Sequence, residues 1–189
     1  MSEGEWPKTD LLRIPVISQN PGWIGGAWYL PNSSGGYHGL LKTWWEYFGL
    51  KGAGLLIGEE GESGKQVKKA FEETYNVKAY SVGLSNADIL WDITREFHEK
   101  REYDWIICQA TLEHVTDPVA AIKNLATVLK SGGRIYLHTA GIEFPIHRYP
   151  LDCYRFLPDG LRAMAQLAHL DIDDLYWTTL HCFAVYRKR

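Results

Sequence analysis

The sequence has little of several features that would point to a particular class of protein. Its 189 residues include only three cysteines, and no two form a CxxC pair, so we expect no disulfide framework. The formal net charge is −3, which gives no overall basic field to bind nucleic acid. No run approaches the roughly 18 apolar residues of a membrane span, and the polar N-terminus has no apolar core. We therefore expect a cytoplasmic protein with neither a nucleic acid nor a membrane as partner.

Motifs for metal binding and for nucleophilic hydrolysis are also missing. No short ligand spacing such as HExxH links His38, His138, His147 and His181, and we expect no metal site. No G-x-S-x-G motif is present, and Cys108 lies inside an apolar stretch where a thiol is usually inert. The sequence thus argues against a metallohydrolase and against a serine or cysteine hydrolase.

Aromatic residues, in contrast, are abundant, with eight Trp and eleven Tyr. Several lie in residues 1–37, where prolines and glycines interrupt every periodic pattern, so we expect an irregular, aromatic-rich N-terminal arm. Such side chains are expected to pack over the sheet, to cover a ligand cleft or to form a homo-oligomer contact. Residues 38–189 are expected to form one domain.

Short apolar runs alternate with amphipathic patterns along this domain. Amphipathic patterns predict helices over 39–48, 65–75, 118–129 and 158–167. Apolar runs predict strands over 53–57, 77–82, 89–91, 105–108 and 134–139, with one or two closing strands over 172–186. Strands joined by crossover helices form parallel sheets, so the pattern predicts an α/β fold.

A glycine-rich turn, GEEGESG over 58–64, joins the first predicted strand to a helix. Glycines let a backbone approach a ligand closely, and a helix N-terminus offers free N–H groups. The spacing matches neither G-x-G-x-x-G nor a P-loop, and three glutamates would repel phosphate. The sulfonium and ammonium groups of S-adenosylmethionine suit this turn better than NAD or ATP. A solvated turn without any ligand is the alternative.

A family resemblance is carried by 103–108 (YDWIIC), 112–115 (LEHV), 117–118 (DP) and 129–133 (LKSGG). These stretches resemble the second half of a class I S-adenosylmethionine-dependent methyltransferase, of the type 11-like group. Residues 87–93 (ADILWDI) resemble the family's adenine-side segment. The resemblance covers 38–187 and implies a Rossmann-like three-layer α/β sandwich of about seven strands, mostly parallel with an antiparallel closing strand. It also implies an enzyme that uses S-adenosylmethionine and releases S-adenosylhomocysteine.

The same resemblance implies a cofactor site. The glycine turn would wrap the methionine part, Asp92 would accept the adenine amino group, and the Ile93 backbone would face the ring. The end of the fourth strand would line the methyl-donor site. The predicted cofactor-binding residues are Gly58, Glu59, Gly61, Gly64, Asp92, Ile93, Gln109 and Ala110.

Two positions depart from the family pattern. Leu56 stands where an acidic residue usually precedes the first glycine, and the second strand ends in 81–84 (SVGL) without an acid for the ribose. Glu59 or Glu60 from the turn, or Ser85 or Asn86, are candidates to bind the ribose instead. The departures and the aromatic arm leave open a second hypothesis, a cofactor-free binding or assembly module.

The loop over 144–156 (FPIHRYPLDCYRF) is dense in groups that bind ligands or transfer protons. It follows the fifth strand on the side where the cleft is expected to open, so we assign it to the methyl acceptor, a small molecule or a protein side chain. The candidate catalytic residues are His114, His147 and Asp152, with His114 as general base. The alternatives are that His114 caps or packs a loop and that Asp152 pairs with Arg148 or Arg155.

Overall fold

The computed structural model describes residues 41, 44–98 and 100–189, so the predicted arm over 1–37 lies outside the described residues. Residues 44–48 are helical and precede the first strand. The strands are β1 (Ala53–Ile57), β2 (Lys78–Gly83), β3 (Ile89–Leu90), β4 (Tyr103–Gln109), β5 (Leu129–Ala140), β6 (Leu170–Trp177) and β7 (His181–Lys188). The helices are α1 (Gly61–Tyr75), α2 (Pro118–Thr127) and α3 (Pro158–Leu167), with a 3₁₀ turn over Leu112–His114.

The seven strands form one sheet in the order β3-β2-β1-β4-β5-β7-β6. The pairs from β3 to β5 are parallel, and β7 runs antiparallel to both of its neighbours. The strand order reverses between β1 and β4, and in open parallel sheets ligands bind at such a switch point, outside the carboxyl ends of the strands. The predicted seven-stranded, mostly parallel sheet is confirmed.

Apolar side chains on both faces of the sheet make two cores. Leu55 and Ile57 of β1 belong to the core that buries α2 and α3, whereas Leu56 between them belongs to the opposite core. That second core contains Trp44 and Trp45 and receives Phe71 of α1. Because neighbouring residues of a strand point to opposite faces, one strand serves both cores, and helices cover the sheet on each side. The three-layer arrangement is thereby confirmed.

Several elements begin earlier than their sequence patterns predict, and the largest differences are in α1 and β5. Helix α1 starts at Gly61 inside the glycine turn, and β5 starts at Leu129, which pairs with Tyr103 ahead of a register shift. Helix α2 follows its signals: the Asp117 side chain accepts the N–H of Ala120, and Pro118 occupies the first turn. Among the described helices, none has the length and apolar character needed to cross a membrane.

Candidate active site

A cleft of about 370 Å³ opens at the carboxyl ends of β1, β2 and β4, where the strand order reverses. Carboxylates of Glu59, Glu60 and Asp92 border it, and Trp91 and Ile93 supply an apolar wall. Of the described residues that line the cleft, none is lysine or arginine. The cleft therefore suits a ligand with positive charge and an apolar ring better than a polyphosphate.

The backbone of the turn after β1 lies close to the end of β2 and to the segment that follows β4. Gly58 has a φ of +82° and donates its N–H to Val82 at 2.9 Å. A Cβ at this position would lie 2.7 Å from Oγ1 of Thr111, so both the conformation and the space require glycine. Glu59, the next residue, is half-buried, and burial raises the pKa of its carboxyl group. Both residues, which the sequence analysis assigns to the cofactor site, line the cleft.

Glu60 reaches from this turn to the end of β2. Its carboxylate accepts the N–H of Leu84, and it accepts the hydroxyl of Ser85 at 2.9 Å. A Cβ on Gly83 would lie 2.2 Å from Cγ of Glu60, so the glycine at the strand end leaves room for the glutamate side chain. Glu60 is one of the four ribose candidates from the sequence and is not among the predicted cofactor-binding residues. The signal that could have identified it is the end of β2 over 81–84, which has a glycine and no acid of its own.

The other two glycines of the turn have different surroundings. Gly61 donates its N–H to the carbonyl of Asn86 at 3.0 Å, and Gly64 lies within α1. A Cβ on Gly64 would lie 2.6 Å from the backbone carbon of Glu59. Neither glycine lines the cleft. They shape the turn that carries Gly58, Glu59 and Glu60.

The segment after β3 forms the opposite wall. Asp92 is exposed at the rim, and one of its oxygens accepts both the N–H and the hydroxyl of Thr94, at 3.0 and 2.7 Å. Ile93 is buried, and its carbonyl accepts the side-chain amide of Asn124 at 2.9 Å. Both residues line the cleft. The rim thus holds one carboxylate beside an apolar surface.

The end of β4 completes the floor. Ala110 lines the cleft with a φ of +47°, which is uncommon for a residue with a Cβ, and its N–H bonds to the carbonyl of His138 at 3.0 Å. Such a conformation persists only where the surroundings hold it and is often found at functional sites. Gln109 pairs with His138 in the sheet and does not line the cleft.

The acceptor-side histidines come together at one end of the cleft. His114 lines it, and the ring of His147 packs against the ring of His114 with centroids 4.7 Å apart. The neighbouring Glu113 is 1% exposed, and its carboxylate accepts the hydroxyl of Thr139 at 2.8 Å. The sequence places Glu113 at this edge but does not single it out, because a short motif cannot show which side chain turns inward.

Asp152 forms a bidentate ion pair with Arg155 inside the loop. One of its oxygens also accepts the backbone N–H of His147 at 2.7 Å. The Arg155 guanidinium is the main cause that holds the pKa of Asp152 well below its usual range. This geometry matches the alternative in which Asp152 pins the loop, and it leaves the carboxylate a poor proton acceptor near neutral pH.

Comparisons with known proteins define the class. The fold matches a solved S-adenosylmethionine-dependent methyltransferase from Clostridium acetobutylicum ATCC 824, with a TM-score of 0.58 at 11% identity, over 79% of this chain and 89% of that one. A family model described as a methyltransferase domain matches residues 35–177. The chain therefore belongs to the methyltransferase domain family, and the predicted class I methyltransferase fold is confirmed. S-adenosylmethionine is the cofactor to which family and fold point.

Curated relatives share shorter regions with this chain. A ubiquinone biosynthesis O-methyltransferase from Coxiella burnetii (strain Dugway 5J108-111) is 33% identical over 75 residues, 38% of this chain and 32% of the relative. Another protein of that name, from Acinetobacter baylyi (strain ATCC 33305 / BD413 / ADP1), is 28% identical over 131 residues, 68% of this chain and 50% of the relative. The chain thus matches half or less of each relative's length.

Proposed function

We propose that the chain transfers the methyl group of S-adenosylmethionine to a hydroxyl oxygen of a small acceptor with an apolar body. The observation that carries the proposal is the cleft at the switch point, with three carboxylates, an apolar wall and no cationic side chain among its described lining residues. The sulfonium and ammonium groups of the cofactor outweigh its single carboxylate in charge, so this lining favours it over nucleotides with several phosphates.

In this assignment the cofactor lies across the cleft. The backbone of Gly58 and the half-buried Glu59 face the methionine part, and Ala110 borders the methyl donor. Asp92 accepts the adenine amino group beside Ile93. Glu60 accepts the ribose hydroxyls, because a carboxylate has more lone-pair directions than the two hydrogen bonds from Leu84 and Ser85 use.

The acceptor lies under the loop over 144–156. Large apolar side chains of this loop are exposed, at 75% for Ile146, 84% for Tyr149 and 49% for Leu151, and Tyr149 lines the cleft. An exposed apolar patch of this kind favours an apolar molecule over a sugar. The names of the curated relatives, O-methyltransferases, favour oxygen as the acceptor atom.

The chemical step is an in-line displacement. A lone pair of the acceptor oxygen forms the O–C bond as the S–C bond breaks, its electron pair stays on sulfur, and the hydroxyl proton leaves to solvent. The products are a methyl ether and S-adenosylhomocysteine. Holding both partners in line supplies most of the acceleration, because oriented reactants gain roughly 7–11 kcal/mol.

Calorimetry with Glu60 and Glu62 variants tests the cofactor assignment. Glu60→Gln should weaken binding of S-adenosylhomocysteine about tenfold or more, since a hydrogen bond to a charged group contributes roughly 1.5–3 kcal/mol. The matched control is Glu62→Gln, an exposed glutamate two residues along that does not line the cleft. Equal affinities for both variants would refute the role of Glu60.

A second experiment tests the acceptor. A catechol with a long alkyl chain offers hydroxyl groups on an apolar body and should yield S-adenosylhomocysteine, whereas sarcosine, whose acceptor atom is an amine nitrogen, should not. Turnover of sarcosine alone would refute an oxygen acceptor.

A further inference from the structure

The three side chains Glu113, His114 and His147 converge beside the cleft from two distant parts of the chain. One possible ligand atom from each lies within 4.8 Å of the other two. Glu113 and His114 belong to the 3₁₀ turn after β4, and His147 belongs to the loop after β5. Spacing along the sequence cannot reveal this cluster, since the two segments are separated by α2 and β5.

The carboxylate of Glu113 is the buried member of the cluster. Its side chain is 2% exposed, and Thr139 donates a hydrogen bond to Oε2. Oε1 lies 3.9 Å from Nε2 of His147, too far for a hydrogen bond. A buried carboxylate is costly unless cationic or hydrogen-bonding groups compensate it. The Arg155 guanidinium interacts with this charge from a distance, and a cation bound at Oε1 would compensate it directly.

Both histidines are oriented by backbone carbonyls. Nδ1 of His114 bonds to the carbonyl of Leu151, and Nδ1 of His147 lies 3.2 Å from the carbonyl of Pro145. A carbonyl only accepts, so each Nδ1 carries the proton in the neutral ring and each Nε2 keeps a lone pair. In metalloproteins a histidine ligand is typically held in this way, with the outer nitrogen donating to a carbonyl or carboxylate.

Asp152 supports the same orientation. Its Oδ2 lies 3.7 Å from Nδ1 of His147 and accepts the backbone N–H of that residue. The ion pair with Arg155 keeps this carboxylate ionised and fixed. Asp152 is therefore a positioning residue, and the donor atoms left for a ligand are one carboxylate oxygen and two imidazole nitrogens.

We propose that Glu113, His114 and His147 bind a divalent first-row transition metal ion such as Zn²⁺. Two histidines and one carboxylate, with a position left open, form a ligand set of catalytic zinc sites. Metal–ligand distances of about 2.0–2.2 Å place ligand atoms roughly 3.4 Å apart in a tetrahedral site. The ligand atoms here lie within 4.8 Å of one another, so binding of the ion requires the side chains to move closer together, and His147 belongs to a surface loop.

The ion would deepen the proposed function, on which its chemical role rests. An acceptor hydroxyl that binds at the open position loses its proton to solvent more readily, because the ion stabilises the oxyanion. The oxygen then carries the lone pair that attacks the methyl carbon. The histidines act as ligands in this arrangement and not as general bases.

Metal titration of the full chain, without cofactor or acceptor, tests the site. Zn²⁺ followed by calorimetry, and Co²⁺ followed by visible absorption, should each show one ion per chain. His147→Ala and Glu113→Gln should weaken binding roughly 100-fold or more, since loss of an outer-shell partner alone costs 10–100-fold. The controls are His98→Ala, an exposed histidine outside the cluster, and Cys153→Ser, which removes the exposed thiol; both should bind like the original chain.

Absence of binding by the original chain, or unchanged affinity in both His147→Ala and Glu113→Gln, would overturn the metal site. Loss of binding in Cys153→Ser would overturn the assigned ligands. Circular dichroism of each variant separates loss of a ligand from loss of the fold, and the position of His147 on a surface loop makes its variant the decisive one. S-adenosylhomocysteine is titrated separately without metal, so failure of the proposed function is distinguished from failure of the metal site.

Discussion

The placement of Glu60 over the end of β2 predicts a specific coupling with Gly83. In Gly83→Ala the new Cβ would lie 2.2 Å from Cγ and 2.4 Å from Oε1 of Glu60. The glutamate side chain is flexible, so we expect it to rotate away and to lose its hydrogen bonds to Leu84 and Ser85. Glu60→Ala removes the same hydrogen bonds by removing the carboxylate.

The magnitude follows from these two hydrogen bonds. Each hydrogen bond to a charged group contributes roughly 1.5–3 kcal/mol when buried, but Leu84 and Ser85 are exposed and water weakens both bonds. We therefore expect each single variant to lower the free energy of unfolding by about 1.5 kcal/mol in total. The double variant has no clash left to relieve and no further hydrogen bond to lose. Its stability should equal or slightly exceed that of Glu60→Ala, because alanine restricts the unfolded chain more than glycine.

Chemical denaturation of the original chain, Gly83→Ala, Glu60→Ala and the double variant forms a double-mutant cycle for this pair. A coupling close to the effect of one variant supports the contact between the two side chains. If the double variant instead lost about 3 kcal/mol, the sum of two independent effects, Gly83 would not be making room for Glu60 and the reasoning would be refuted.

Three further outcomes follow from the structure. In chemical denaturation, Gly54→Ala should lower the free energy of unfolding by about 1–3 kcal/mol or more, since its Cβ would lie 2.0 Å from the buried Trp105 ring. The control Gly160→Ala places its Cβ in open space on α3 and should be neutral or stabilising. With a thiol reagent, Cys153 should react rapidly in the native chain, and Cys108 and Cys182 should react only on unfolding, because burial raises the pKa of both buried thiols. Because the pKa of Asp152 is lower in the folded chain, its carboxylate stabilises the fold at pH values above the ordinary aspartate pKa, and this stability is lost as the pH falls below about 4. In Asp152→Asn, the free energy of unfolding should therefore fall less steeply on the acid side when it is measured against pH.

The fold was predictable because local patterns and tertiary packing agree. The strand at Ala53–Ile57 and the helix at Pro158–Leu167 have the bounds that their apolar patterns predict. The apolar pattern assigns Leu129 to the preceding helix, and only its pairing with Tyr103 shows that β5 begins there. A residue between a helix and a strand carries no periodic signal that fixes the boundary.

The candidate site was only partly predictable for a similar reason. Residues at strand ends, such as Gly58 and Ala110, line the cleft because strand order alone brings them there. Gly64 belongs to the glycine-rich turn of the sequence yet lies within α1, since sequence spacing does not show where a helix begins. The position of Glu60 depends on Gly83, and the convergence of Glu113 with His147 depends on the path of a long loop. Contacts of this kind exist only after the chain has folded.

The most direct test of the account is calorimetric titration of the chain with S-adenosylmethionine and S-adenosylhomocysteine, alongside ATP and NAD. The carboxylate-lined cleft predicts one site per chain for the first two ligands, with micromolar affinity, and no measurable binding of ATP or NAD. Binding of ATP or NAD in preference would contradict the charge argument for the cleft. Binding of none of the four would contradict the assignment of the turn after β1 to a cofactor, and it would favour the cofactor-free binding module.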